Sequence, residues 1–255
     1  MRYAILLGIC ACGLAAAADP AYAGKWKMNP AKSNFGESTL TYEQLPGGQF
    51  KAAMDGQTYT FKTDGSDAPT PWGSTMAWKT VDAKSWDVTE KISGKVSMSG
   101  TAKLSADGKT LTMAGKRAKP DGGTTNETVN LDRVSGGPGL AGKWKTKNLT
   151  SSSPETMVVT VKGADGILIA MSGESTGCDA KFDGKDYPMK SAFTPPGWTC
   201  QVAKSGTNAL TFTWKKDGKE MYKTTLTASA DGKTLTEKGS AASVNEPFTM
   251  VYDRQ

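Results

Sequence analysis

Short runs of alternating apolar and polar residues follow one another along the chain. In the first half they are Thr39–Tyr42, Tyr59–Phe61, Met76–Trp78, Trp86–Val88, Val96–Met98, Leu111–Met113 and Val129–Leu131. In the second half they are Met157–Val161, Ile167–Met171, Leu210–Trp214, Tyr222–Leu226 and Phe248–Tyr252. A period of two residues is typical of half-buried antiparallel strands. The pattern predicts an all-β fold, with one short helical turn at Pro30–Ser33.

Tight turns separate the predicted strands. Asp-Gly pairs stand at 107–108, 217–218 and 231–232, and Asp-Gly readily adopts the positive φ angles of a hairpin turn. Strands joined by tight turns form an antiparallel up-and-down sheet, and closing such a sheet removes its exposed edges. We therefore expect up-and-down β-barrels of about eight or more strands.

The chain repeats three landmarks in the same order. They are Ala23–Lys27 and Ala141–Lys145, Ser105–Thr112 and Ser229–Thr236, and Asp132-Arg133 and Asp253-Arg254. Matched landmarks over this length indicate a tandem duplication of a whole domain. The predicted units are a first barrel at 19–134, a short flexible linker at 135–140 and a second barrel at 141–255.

The N-terminus has the pattern of a secretory signal peptide, residues 1–18. Arg2 precedes an apolar stretch at 5–14, and small residues allow cleavage near Ala18, with Ala21–Ala23 as a second candidate site. The stretch is too short to span a membrane. We expect an extracytoplasmic protein, periplasmic or secreted; lipid attachment at Cys10 is the alternative.

Two cysteines remain after such cleavage. Cys178 and Cys200 both lie in the second copy, and in an oxidising compartment they are expected to form a disulfide. Two buried free thiols are the alternative. The chain has no histidine, which argues against a metal site at these cysteines. Neither a metal nor a cofactor is expected.

Charge and composition argue against two classes of function, nucleic-acid binding and histidine-dependent catalysis. The net charge of +6 is spread evenly along the chain without a basic cluster, so nucleic-acid binding is not expected. The absence of histidine excludes Ser-His and Cys-His nucleophiles. The repeated Ser-Ala-Asp-Gly-Lys is interpreted as a turn rather than a Ser-Lys site. A carboxylate pair for glycoside hydrolysis stays open, but Glu43 and Glu90 lack clear counterparts in the second copy and are not assigned to it. We expect no catalysis.

Arginine marks the end of each copy. Arg133 and Arg254 occupy matched positions in a chain whose other arginines are Arg2 and Arg117 and whose remaining basic residues are lysines. Arginine stacks on aromatic rings. First and last strands of an up-and-down barrel are neighbours. We therefore expect Arg133 to stack over Trp26, and Arg254 over Trp144, closing one end of each barrel.

Gly24-Lys-Trp26 and Gly142-Lys-Trp144, with an arginine ending each copy, resemble the Gly-x-Trp…Arg signature of lipocalin-like (calycin) barrels. The opening Gly24–Ser33 is also similar to that of secreted bacterial proteins of unassigned function. The resemblance implies a small apolar ligand in a barrel mouth. The longer chain, Thr-Asp-Tyr-type motif and final helix of lipocalins proper are not evident.

The two copies differ near two tryptophans. Trp72 follows Pro69 and Pro71, and Trp198 follows an insertion with Pro195 and Pro196. Proline-aromatic loops suit the rim of a ligand-binding mouth, although both rings could instead cap a core.

The functional hypothesis is a non-catalytic binder of a small apolar or amphipathic molecule. The alternative is a structural or envelope-associated interaction protein with filled barrels and no small ligand. A void of several hundred Å³ favours the first, and a packed interior favours the second.

Overall fold

The computed structural model describes residues 19–34, 39–120, 122–152, 155–171, 174, 177–241 and 247–255. The predicted signal peptide, with Cys10, lies outside these residues. The described chain is built of strands with no α-helix, which confirms the all-β prediction, and a short 3-10 turn lies at Pro30–Lys32.

In the first half the strands are β1 Gly24–Met28, β2 Thr39–Leu45, β3 Gln49–Met54, β4 Gln57–Lys62, β5 Asp64–Pro69, β6 Thr75–Asp82, β7 Ser85–Ile92, β8 Lys95–Leu104, β9 Thr110–Ala118 and β10 Thr124–Ser135. In the second half they are β11 Gly142–Ser151, β12 Thr156–Lys162, β13 Gly166–Met171, β14 Gly177–Lys181, β15 Tyr187–Pro188, β16 Trp198–Gly206, β17 Ala209–Lys216, β18 Lys219–Ala228, β19 Thr234–Ala241 and β20 Pro247–Arg254.

The strands form two antiparallel sheets that are nearly closed barrels. Barrel one has the order β4-β3-β2-β11-β10-β9-β8-β7-β6-β5, and barrel two the order β14-β13-β12-β1-β20-β19-β18-β17-β16-β15. Two tandem up-and-down barrels were predicted, and this prediction is confirmed. Each barrel has ten strands.

The barrels exchange their first strands. β1 pairs with β12 and β20 in barrel two, and β11 pairs with β2 and β10 in barrel one. Each barrel thus takes nine strands from one sequence copy and one from the other. The boundaries 19–134 and 141–255 delimit the two sequence copies. As domain boundaries they stay predictions, because each sheet contains one strand from the other copy.

The connection between β10 and β11 accounts for the exchange. Arg133 donates to the carbonyls of Gly137 (2.8 Å), Gly139 (2.6 Å) and Ala141 (2.9 Å). These bonds hold the linker as a hairpin loop between β10 and β11. A short loop returns the chain beside the strand it has just left, so β11 occupies the place next to β10. β1 then fills the equivalent place next to β20.

Each terminal arginine stacks on the tryptophan of the strand beside it. The Arg133 guanidinium carbon lies 4.0 Å from the Trp144 ring centroid, and that of Arg254 lies 4.2 Å from the Trp26 centroid. An arginine-tryptophan stack was predicted, but the pairing of Arg133 with Trp26 and Arg254 with Trp144 was wrong. The strand exchange swaps the partners.

The other repeated residues serve the same stack. A Cβ atom on Gly142 would lie 2.8 Å from Nη1 of Arg133, and one on Gly24 would clash with Nη1 of Arg254. Arg133 Nε donates to the Gly108 carbonyl at 2.6 Å, and Arg254 makes the same bond to Gly232. The glycine leaves room for the guanidinium, and the Asp-Gly turn supplies an acceptor.

The predicted disulfide between Cys178 and Cys200 is present. It joins β14 to β16 beside the seam of barrel two, where an isolated bridge also pairs Cys178 with Met189. Both cysteines are fully buried. The cross-link therefore closes the sheet where continuous strand pairing ends.

Among the residues that the structure describes, no helix has the length and apolar character needed to cross a membrane.

A cross-linking experiment tests the strand exchange. Lys25→Cys with Val158→Cys should form a disulfide, because these residues are cross-strand partners in β1 and β12, and opposed Cα atoms about 4.5–5.5 Å apart suit a disulfide. The matched control is Lys25→Cys with Thr41→Cys, the pair expected if each copy closed its own barrel. Peptide mapping after oxidation should find the first link and not the second; the reverse would contradict the exchange.

Replacing Arg254 by lysine tests the stack. Lysine can neither lie flat on Trp26 nor bridge several carbonyls, so Arg254→Lys should lower the free energy of unfolding by about 2–3 kcal/mol and the melting temperature by about 5–10 °C. Arg117→Lys is the control, because that arginine makes partly exposed ion pairs only. Equal melting temperatures for the wild type and Arg254→Lys would contradict the role of the stack.

Candidate functional site

A cavity of about 1010 Å³ lies where the mouths of the two barrels meet. Barrel one lines it with Trp72, Ser74, Glu90, Ile92, Ser97, Arg117, Lys119, Thr125, Glu127 and Leu149. Barrel two lines it with Met28, Met171, Met189, Phe193, Trp198, Trp214, Tyr222, Thr224, Glu237, Phe248 and Met250. The cavity is thus shared between the barrels.

The cavity and the arginine-tryptophan stack lie at opposite ends of each barrel. On β20, Arg254 pairs with Trp26 at the stacked end, whereas Phe248, nearer the start of the strand, lines the cavity. On β10, Arg133 lies at the stacked end and Glu127 lines the cavity. One end of each barrel is therefore plugged and the other faces its neighbour.

The wall from barrel one is polar. Arg117 Nε lies 3.0 Å from Glu127 Oε2, and its Nη1 lies 3.4 Å from Glu90 Oε2. The Ser97 hydroxyl donates to Glu90 Oε2 at 3.0 Å. One guanidinium thus holds two carboxylates across three strands, β7, β9 and β10.

The wall from barrel two carries most of the apolar and aromatic side chains of the cavity, together with glutamates at 155, 174 and 237. Four methionines reach the cavity from four segments, Met28, Met171, Met189 and Met250. Trp214 lines it as well and stacks on Phe212, with ring centroids 5.7 Å apart. Methionine side chains are flexible and polarizable, so they adapt to ligands of varied shape.

Matched positions explain the contrast between the walls. Glu127 and Phe248 lie at the same distance before the repeated Asp-Arg, on β10 and β20. Glu90 pairs with Met98 on β8, and Trp214 pairs with Tyr222 at the matching place on β18. The second copy therefore carries aromatic rings where the first carries charges.

A buried carboxyl group lies within the apolar wall. Glu237 is 8% exposed, and the Tyr252 hydroxyl donates to its Oε2 at 3.2 Å. Burial raises the pKa of Glu237, whereas Tyr252 and Thr224 act in the opposite direction. Burial and the neighbouring Glu237 carboxyl also raise the pKa of Tyr252. Within the described part of the chain, no cation forms an ion pair with Glu237.

Thr224 lies beside Glu237 with an unused hydroxyl. Its side chain is 3% exposed, and Oγ1 has no hydrogen-bond partner of acceptable geometry among the described residues. It lowers the pKa of Glu237, so the two groups are neighbours, but the geometry falls short of a hydrogen bond. A buried hydroxyl facing a cavity without a partner is available to a ligand.

The tryptophans chosen from the sequence meet at the junction of the barrels. Trp198 Nε1 donates to the Trp72 carbonyl at 2.9 Å, and both residues line the cavity. Trp198 also stacks on Tyr222, with centroids 6.4 Å apart. A ligand-binding role for Trp72 and Trp198 stays a prediction, and their shared hydrogen bond gives them a structural one.

The other residues considered from the sequence are two glutamates and the serines of the repeated turns, and they lie apart from one another. Glu90 lines the cavity, whereas Glu43 is exposed on β2 and takes no part in its lining, so the two do not form a pair there. The Ser105 and Ser229 hydroxyls each donate to the aspartate two residues on, at 2.6 Å. These serines are engaged in turns, as the turn interpretation predicts.

Sequence reasoning missed Glu237 and Thr224. The available signal was the alignment of the copies, because Glu237 follows the repeated Ser229–Thr236 directly and Met113 follows Ser105–Thr112 in the same way. A glutamate at an inward position that is methionine in the other copy marks a specific difference.

Comparison with known proteins does not assign the chain to a family. No family model matches the chain, and no curated protein matches it.

The pH dependence of stability tests the burial of Glu237. Its pKa in the folded protein lies above the ordinary value of 4.5, so folding favours the protonated form and ionisation destabilises the fold as the pH rises past that value. Glu237→Gln should therefore raise the melting temperature at pH 7, by about 2–4 °C for each kcal/mol of penalty removed. Below about pH 4 the two proteins should melt alike, since the group is then protonated in both states.

Thermal unfolding followed by circular dichroism from about pH 3.5 to about pH 8 spans this titration and measures the difference. Glu43→Gln is the control, because Glu43 is exposed and should shift the melting temperature little at any pH. A Glu237→Gln effect that is constant with pH would contradict the assigned cause.

Proposed function

We propose that the protein binds a small apolar or amphipathic molecule in the cavity between its barrels and does not transform it chemically. The observation that carries the proposal is the cavity itself, about 1010 Å³ with methionine and aromatic side chains on one wall. Ligand sites of about 300–1,000 Å³ with mostly apolar lining and a few polar groups are usual. The cavity is of that size and kind.

The two-sided lining favours an amphipathic ligand. An apolar group would contact Met171, Met189 and Met250 in barrel two. A polar group would reach hydrogen-bonding side chains in either barrel, such as Ser97 in barrel one or Glu237 in barrel two. Burying a polar group without partners is costly. A molecule with both kinds of surface finds apolar and polar side chains in the cavity and avoids that cost.

We also propose that the mature protein is extracytoplasmic and begins near Asp19. The disulfide Cys178–Cys200 supports an oxidising compartment. Tyr22 is buried in barrel two, and the carbonyls of Ala21 and Ala23 accept hydrogen bonds from Arg254. Cleavage near Ala18 keeps these residues, whereas cleavage after Ala23 would remove them from the stack. This supports the first cleavage site.

A structural role with filled barrels is the second candidate. It is favoured by the aromatic packing inside barrel one, where the Trp78 centroid lies 5.6 Å from that of Tyr42 and 5.1 Å from that of Phe61. These residues pack together in the core of barrel one. They leave the shared cavity open, so ligand binding between the barrels remains the function that the geometry supports best.

A fluorescent apolar probe tests the binding proposal. N-phenyl-1-naphthylamine should gain fluorescence on binding and quench the tryptophans of the cavity, because Trp198 and Trp214 line it. Trp214→Phe should weaken binding by about tenfold through lost apolar contact. Trp86→Phe is the matched control, since Trp86 is buried in the core of barrel one and is not among the lining residues.

The control variant should bind the probe like the wild type. Absence of saturable binding by this probe, together with absence of binding by alkanols, would reject the proposal and favour the structural role.

A further inference from the structure

The side chains with which barrel two lines the cavity indicate one class of amphipathic ligand. This inference rests on the binding function proposed above. Inward side chains of β18, β19 and β20 form successive layers from the core toward the cavity. Glu237 lies opposite Leu226 and Met250. In the next layer Gly239 lies opposite Thr224 and Phe248. A carboxyl group therefore lies at the bottom of the mouth.

Aromatic rings stand in the layers above this carboxyl group. A Cβ atom on Gly239 would lie 2.9 Å from Cζ of Phe248 and 2.5 Å from Cγ2 of Thr224, so these two side chains meet over the glycine. Trp214 and Tyr222, paired across β17 and β18, form the following layer. A ligand group moving inward passes three aromatic residues before it reaches Glu237. Aromatic faces attract cations.

The lining carries an excess of acidic groups. Among the described residues, the lining contains glutamates at 90, 127, 155, 174 and 237, and its basic residues are Arg117 and Lys119. Arg117 already contacts Glu90 and Glu127, so it offers little to an anionic ligand. The formal charge of the lining favours a cation.

The features of this mouth occur in the second copy alone. At matched positions Glu237 corresponds to Met113, Tyr252 to Leu131 and Thr224 to Gly100. Both copies fold into barrels of the same order, so the fold does not require a carboxyl group there. A buried carboxyl group that the fold does not need is costly to keep. The presence of this carboxyl group therefore points to a ligand that uses it.

We propose that the ligand is an organic ammonium ion with an apolar body. Its positive group lies against the Glu237 carboxylate under Phe248, Trp214 and Tyr222, and the unpaired Thr224 hydroxyl solvates the same carboxylate or the ligand. The apolar body extends along the methionine side chains toward barrel one. The ammonium supplies the counter-charge that the described chain does not.

This binding depends on pH in a defined direction. A cation requires ionised Glu237, so its affinity should fall as the pH is lowered toward the pKa of that group. The ionisable group that contacts Glu237 is Tyr252 on β20, on which Glu155 also acts. Tyr222 on β18 lines the same mouth and interacts with Asp55 of barrel one. Both tyrosines have raised pKa values and stay neutral through the acid range. A neutral ligand should show no such fall.

Isothermal titration with three probes of equal chain length tests the proposal: octyltrimethylammonium, octanol and octanoate, each below its aggregation concentration. The ammonium should bind most tightly, with an affinity about tenfold higher than that of octanol. Octanoate should bind most weakly. Glu237→Gln and Glu237→Met, the latter giving barrel two the residue of barrel one, should erase the preference for the ammonium. Glu174→Gln, at the rim and bonded to Ser191, should largely keep it.

The outcomes distinguish failure of the ammonium proposal from failure of the binding function on which it rests. If none of the three probes binds, the proposed function fails and this inference with it. If octanol binds as tightly as the ammonium, or octanoate binds more tightly, the binding function stands and the cationic ligand is rejected. A preference that survives in both Glu237 variants, with melting temperatures showing that they fold, rejects Glu237 as the cation site.

Discussion

The stack of a terminal arginine on the tryptophan of the adjacent strand is the interaction on which this structure depends. Arg133 and Arg254 each cover a fully buried indole ring and bind the carbonyls of a neighbouring loop. The guanidinium is planar, so it can lie on a ring and donate several hydrogen bonds at once. Gly24 and Gly142 are needed because any side chain there would occupy the space of that group. The repeated motifs thus have one purpose, the closure of a barrel end.

The strand exchange turns this local interaction into a link between the copies. In one stack Trp26 comes from the first copy and Arg254 from the second. In the other, Trp144 comes from the second copy and Arg133 from the first. The pinned loop between β10 and β11 decides this arrangement. Because the chain passes between the barrels, their unplugged mouths are held close to one another, and the Trp198–Trp72 hydrogen bond adds a direct contact. A cavity shared by the mouths is a consequence of the exchange.

The duplication separates what the fold requires from what a ligand requires. Residues kept in both copies gather at the plugged ends, whereas the mouths carry different residues at matched positions. The first copy places Glu90, Arg117 and Glu127 at its mouth, and the second places aromatic rings over Glu237. A polar wall therefore faces an aromatic one. The proposed preference for an organic ammonium ion rests on the second mouth, because the Glu237 carboxyl group and the aromatic faces above it both attract a cation.

The sequence by itself determined the all-β class, the presence of two barrels, the disulfide and the strands with clear alternation, because alternation and Asp-Gly turns act over short stretches of chain and two cysteines leave one pairing. Strands with weak alternation, such as β3 Gln49–Met54, β5 Asp64–Pro69 and β14 Gly177–Lys181, were not predicted. The sequence also indicated that arginine and tryptophan would meet. Only the tertiary structure decided which arginine meets which tryptophan, since two equivalent places compete for each first strand and loop length chooses between them. The same holds for Glu237 and Thr224, whose burial depends on neighbours from other strands. Local patterns cannot distinguish identical partners, and packing in three dimensions does.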